Sequence, residues 1–168
     1  NAKFNSAVRK CLLFDAAYAE VPHESRNEID IAFVDDDNLL EPGWLEAMTD
    51  AIKAHPAAGG LGGRVCLQWT KPPMPVFHNF GYCFAEQELG SRAKAVHSLV
   101  GAGMVVRRAA LLATGWTQAP LIADRTGTNL VSGGDAEIAL RLRGAGFELR
   151  YVPGAVIDRK STRLNSSH

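Results

Sequence analysis

The chain has 168 residues, 46% of them hydrophobic and 21% charged, and its 18 basic side chains are balanced by 18 acidic ones. That composition fits one globular domain with a buried core, and it argues against a disordered chain or the basic surface of a nucleic-acid binder. The longest apolar run, Leu99–Val106, is too short to span a bilayer, and nothing behind the opening Asn1 resembles a signal peptide. Three cysteines (Cys11, Cys66 and Cys83) are never spaced CxxC and read as reduced core thiols of a cytosolic protein.

In chain order, Phe4, Val8, Leu12 and Leu13 recur at helical spacing and predict a helix within residues 1–19. A polar loop follows, and then Glu28–Val34, whose Ile- and Val-rich run with little alternation predicts a strand buried on both faces. A helix is predicted from Asn38 or Glu41, with Pro42 near its first position and Trp44, Leu45, Met48 and Ile52 on one face; His55-Pro56 ends it. Gly60–Trp69 reads as a second strand, and Thr70–Gly81, with Pro72, Pro73 and Pro75, as an extended surface loop.

Leu99–Val106 reads as a strand, or a strand and turn, around Gly101-Ala102-Gly103. Arg108–Ala113 predicts a short helix ended by Gly115, and Ala119–Val131 a loop. Ser132 opens a helix over Ala136–Gly144 with Ile138 and Leu142 facing inward, and Phe147–Val152 is the last predicted strand. Strands alternating with helices point to an α/β sandwich with a mostly parallel sheet. A parallel sheet whose first visible element is a helix is expected to have lost strands before it, so the chain reads as an internal fragment, inactive on its own.

The last eleven residues, Asp158–His168, read DRKSTRLNSSH and break with the chain before them. They are polar and aperiodic, and they match the in-frame translation of a common sequencing adaptor. Residues 1–157 are therefore expected to be a partial domain and residues 158–168 a non-native, adaptor-derived tail.

Chemistry concentrates at FVDDDN, Phe33–Asn38, where three carboxylates follow a buried strand. In open α/β sheets ligands bind at such strand ends. A helix cap would use one of the three acids. A calcium loop of EF-hand type fails, because Leu39 and Leu40 fill positions that need a ligand and a glycine. The third reading is a Mg²⁺ or Mn²⁺ ion shared with a substrate diphosphate, since hard cations are held by one or two carboxylates together with phosphate oxygens and water.

The stretch FVDDDNLLEPGWL resembles the DxD region of family-two inverting glycosyltransferases, which have the GT-A nucleotide-diphospho-sugar fold. LVGAGMVVRRAALLATGW and SGGDAEIALRLRGAGFELRYVP follow in the family's order, and the likeness covers most of Glu28–Pro153. It implies an α/β/α GT-A sandwich with N-terminal strands missing, a nucleotide-diphospho-sugar donor, a divalent metal, and a glycan, lipid or other hydroxyl acceptor. By resemblance, Asp35 contacts the ribose or the metal, Asp36 fills the middle position and Asp37 is the metal ligand. Asp135 matches the second acid of the family's "ED" motif, the general base. The first acid is Gly134 here, and Glu137 is the candidate to replace it on the acceptor side. Gly101 and Gly103 are expected to let the backbone approach the donor sugar, and Trp116 matches a position near the acceptor. The family's histidine after the last strand is missing.

Bland roles compete. Ser132 and Asp135 are spaced as a capping box, Trp116 could be packing alone, and Arg107 or Arg108 could face the diphosphate or solvent. Two rival functions compete as well. A degenerate domain that binds a nucleotide or glycan without turnover is favoured by Gly134; a receiver-type phosphate-transfer domain lacks the lysine it would need. The transferase is expected in the cytoplasm, associated with a membrane in the full-length protein.

Overall fold

A computed structural model describes residues 30–35, 38–69, 74–116, 118–119, 121–122 and 133–161. The expected helix within residues 1–19 lies outside them, as do Asp36 and Asp37. The described elements are β1 (Asp30–Phe33), β2 (Asn38–Leu40), α1 (Trp44–Ala54), β3 (Ala58–Trp69), a 3-10 helix (Pro75–Phe84), β4 (Lys94–Val96), β5 (Met104–Arg107), α2 (Arg108–Ala113), α3 (Gly134–Gly144) and β6 (Glu148–Ser161).

The strands form one sheet in the order β1-β5-β3-β6-β2, with β4 also on β6. β5 carries the logic of the layers. Successive side chains of a strand point to opposite faces. Val105 joins Trp44, Met48, Leu61 and Ile157 in one apolar cluster, under α1. Its neighbours Met104 and Val106 join Leu111, Ile138, Leu142 and Leu149 in the other, under α2 and α3. The result is a three-layered α/β/α sandwich.

The sheet is mixed rather than mostly parallel. Among the described residues only β3 and β6 run parallel, while β1·β5, β3·β5, β2·β6 and β4·β6 are antiparallel. The reason lies in two elements the sequence pattern conceals. The three-residue strands β2 and β4 are too short to show alternation, and both take the edge of β6 facing away from β3. β6 itself is 14 residues long, not six, because Pro153-Gly154 interrupts its pattern without ending it. Its register against β3 jumps from Gly63↔Val152 to Arg64↔Val156. Gly63 sits beneath that bulge, where a Cβ would lie 2.0 Å from the Ala155 carbonyl oxygen.

Pairing with β2 and β3 also carries β6 through Asp158–Ser161, residues expected to lie outside the fold. Backbone pairing needs no apolar side chains there, and Gln68 donates to the Asp158 carboxylate.

α1 starts at Trp44, later than expected. Gly43, at φ 88, turns the chain into the helix, and Asn38–Leu40 is spent on β2. Leu45 is exposed, whereas Trp44 and Met48 are buried. α2 has the bounds the sequence predicts, with Gly115 left-handed just beyond it. The segment expected as an extended loop holds the 3-10 helix instead, Pro75 supplying its first turn. Cys66 and Cys83 are free thiols, half-buried and exposed rather than in the core.

Candidate active site

β1 ends in the acidic turn. The Asn38 N–H donates to the Asp35 carbonyl (3.1 Å), closing the chain tightly between β1 and β2. Although β1 and β2 stand at opposite ends of the strand order, only residues 34–37 join them. The end of β1 is therefore drawn against the second half of β6. Asp35 is half-buried there and lies 3.8 Å from the Arg159 guanidinium. Its carboxylate is a hard oxygen donor of the kind Mg²⁺ and Mn²⁺ take. Among the described residues, no three His, Cys, Asp or Glu side chains group as a metal centre.

The turn before β5 binds on both sides. The Gly103 N–H donates to the Phe33 carbonyl (2.8 Å), two residues before Asp35, and the Gly101 N–H donates to Asp135 Oδ2 (2.9 Å). A three-residue turn thus ties the acidic end of β1 to the first turn of α3. Gly103 needs to be glycine on two counts: its φ is +70, and a Cβ would meet Ile157 Cδ1 at 2.0 Å. The nearest neighbours of Gly101 are the atoms of Asp135, with a Cβ position 3.2 Å from Asp135 Cβ.

Asp135 stands in the first turn of α3, where the free backbone N–H groups favour a negative charge. Its Oδ1 also accepts from the Ala136 N–H (2.9 Å). The residue before the helix is Gly133, at φ 151 and without a side chain to cap it; Ser132, the proposed capping partner, lies outside the described residues. Gly134 is buried and offers no carboxylate. Asp135 remains partly exposed, with both oxygens held and with lone pairs to spare.

Glu137 differs. It is 3% exposed. Oε1 accepts from the Leu121 N–H (2.8 Å) and Arg141 Nε (2.6 Å), and Oε2 from the Ile122 N–H (2.8 Å). Burial alone would raise this carboxyl, but those two amides and the guanidinium outweigh it and hold the group below the ordinary carboxylate range. It lies against the backbone of Leu121 and Ile122. Trp116, in the same segment, packs against the apolar cluster beneath α2 and α3. Its indole N–H is buried and has no hydrogen-bond partner among the described residues.

Arg107 is held between α1 and β3. It donates to the Ile52 and His55 carbonyls at the end of α1 and to Ala58 at the start of β3, and lies 3.7 Å from Asp30. Sequence reasoning missed two residues here. Arg141 spans from Glu137 to the Thr114 carbonyl (3.1 Å). Buried Gln87 donates to the Gly63 carbonyl (2.8 Å) and accepts from the Val100 N–H (3.2 Å), so it holds the strand bulge to the residue before Gly101. Arg141 carried a signal, an i,i+4 spacing from Glu137. A lone glutamine carries none.

Comparison with known proteins accords with this geometry. The family described as Glycosyltransferase like family 2 matches residues 17–167. A glucosyl-dolichyl phosphate glucuronosyltransferase from Haloferax volcanii is 25% identical over 138 residues, which is 80% of this chain and 42% of that protein. The chain thus spans less than half the length of the relative it matches.

Proposed function

The chain belongs to the family Glycosyltransferase like family 2, with its GT-A α/β fold, and from that premise we propose that it transfers a sugar from a nucleotide-diphospho-sugar to an acceptor hydroxyl with inversion. The observation that carries the proposal is the 101–103 turn, bonded to Phe33 beside the acidic cluster and to Asp135 across from it. On this reading Asp35 serves the donor side and Asp135 the acceptor side, and the turn's two hydrogen bonds to Phe33 and Asp135 support the pairing.

Asp135 takes the proton of the acceptor hydroxyl as that oxygen bonds to the anomeric carbon. The bond from that carbon to the diphosphate breaks with its electron pair leaving on the nucleoside diphosphate, so one displacement inverts the centre. The Gly101 N–H holds Asp135 Oδ2, which leaves the other oxygen's free lone pair to meet the acceptor. Asp35 and Asp36 receive the donor, and Trp116 borders the acceptor. A Mg²⁺ or Mn²⁺ ion held by Asp35 and Asp37 would offset the charge on the departing diphosphate.

The relative's name puts a sugar on a dolichyl phosphate as its acceptor. By that analogy a lipid-linked sugar, in the assembly of a glycan or surface polysaccharide, is the first acceptor class to try, and the full-length protein would work at a membrane surface. No helix among the described residues is long and apolar enough to cross one.

The test uses the full-length gene and a panel of UDP- and GDP-sugars, with and without a glucosyl polyprenyl phosphate. Asp135→Asn should lower kcat by about 10²-fold or more while calorimetry finds donor affinity nearly intact. A variant that keeps wild-type turnover removes Asp135 as the base. A wild-type enzyme that binds a nucleotide-sugar but never turns it over supports the non-catalytic binding domain instead.

A further inference from the structure

Four backbone groups between Thr114 and Ile122 are bound by two side chains one turn apart on α3. Glu137 accepts from the N–H groups of Leu121 and Ile122; Arg141 donates from Nη1 to the Thr114 carbonyl and from Nη2 to that of Ala119. The two meet each other at 2.6 Å. Ile122 then seats against Gly133, where a Cβ would come within 3.3 Å of its Cγ2. Nothing in the reaction needs a buried ion pair at this place. Burying two charges is costly unless the remaining donors and acceptors are matched, and here they are matched to the backbone of one segment.

We infer that Glu137 and Arg141 form a clamp that fixes the backbone at Thr114, Ala119, Leu121 and Ile122, and with it Trp116, relative to Asp135, and that this clamp positions the acceptor. The inference rests on the transferase reading above. Glu137 is a positioning residue: its oxygens are spent on the segment, two residues along the helix from the base. The clamp acts on acceptor geometry and leaves the donor side alone, because none of its bonds reaches β1 or the 101–103 turn. Misplacing an attacking group by about 1 Å can cost on the order of 10²-fold in rate, so a small slip of this segment is enough to matter.

Transferases also pass the donor sugar to water, which needs no positioned acceptor. The ratio of transfer to hydrolysis is independent of how much protein is folded, since both activities come from the same molecules. In the full-length enzyme, with the panel donor that is turned over and glucosyl polyprenyl phosphate as acceptor, Glu137→Gln should lower that ratio at least tenfold and raise the acceptor KM. Arg141→Lys keeps the ion pair but gives up the reach to Thr114 and Ala119, and should lower the ratio by a smaller factor. It carries the test alone if Glu137→Gln does not fold. Ratios at the wild-type value in the variants that fold would overturn the clamp while leaving the transferase reading intact. A wild-type enzyme with neither hydrolysis nor transfer for any donor would overturn that reading, and this inference with it.

Discussion

A side chain at Gly101 would crowd Asp135. A Cβ there would sit 3.2 Å from Asp135 Cβ and 3.3 Å from its Oδ2, closer than neighbouring atoms normally stand. Its φ lies outside the left-handed region, so alanine would fit the backbone and the strain would fall on the Asp135 carboxylate. Gly101→Ala should therefore lower kcat by about tenfold, or ~1.4 kcal/mol of barrier, with donor affinity little changed. Steady-state kinetics beside calorimetry decides it, and a wild-type kcat would mean that the Gly101–Asp135 contact does not hold the base. Asp135 was singled out in the sequence by its resemblance to the second acid of the family's "ED" motif. The contact that orients it was not, because the contact is made by a backbone N–H, identical at every non-proline position. Glu137 was named from the sequence as a candidate, but its burial was not foreseen. Its burial depends on where residues 121–122 fold back, and no local pattern encodes that.

At the level of elements, α3 is joined to the segment before it by charge. The folded Glu137 carboxyl titrates below its ordinary value near 4.5. A group with a depressed folded pKa contributes stability that is complete above the unfolded value and is lost as pH falls through the folded one. The wild-type chain should therefore be more stable than Glu137→Gln near pH 7, and the gap should close as pH drops below about 4.5. Urea midpoints of the two proteins at pH 7 and near pH 3.5 measure it; a gap that is constant with pH would show that the ionised form is not what binds the segment. Asp30 has the opposite sign. Burial pushes its carboxyl up and Arg107 lowers it only in part, so its protonation in acid favours the fold and works against the loss at Glu137. Elements with a local signal were predicted well: α2 by its apolar run and Gly115, β3 by length and apolar content. Those with a non-local cause were not. β2 and β4 exist because β6 offers an edge, and β6 passes Pro153-Gly154 because β3 continues to pair on the far side.

Across the whole molecule, the two apolar clusters share the sheet but no residues. Met48, 1% exposed, lies under α1; Ile138, 2% exposed, lies under α3, the helix that carries Asp135, Glu137 and Arg141. Close-packed interiors register the loss of one methylene, yet the effect stays local when no neighbour is shared. Met48→Leu and Ile138→Val should each cost less than about 1.5 kcal/mol. On opposite faces of a three-layered sandwich, their costs should add to within roughly 0.5 kcal/mol in the double variant. Chemical denaturation of the four proteins completes the cycle. A coupling above about 1 kcal/mol would mean that the sheet transmits packing strain from one face to the other, and the side under α1 would then help to set the geometry of Asp135. Additivity would mean that each face of the sheet is packed independently, so that substitutions under α1 leave the helix carrying Asp135 undisturbed.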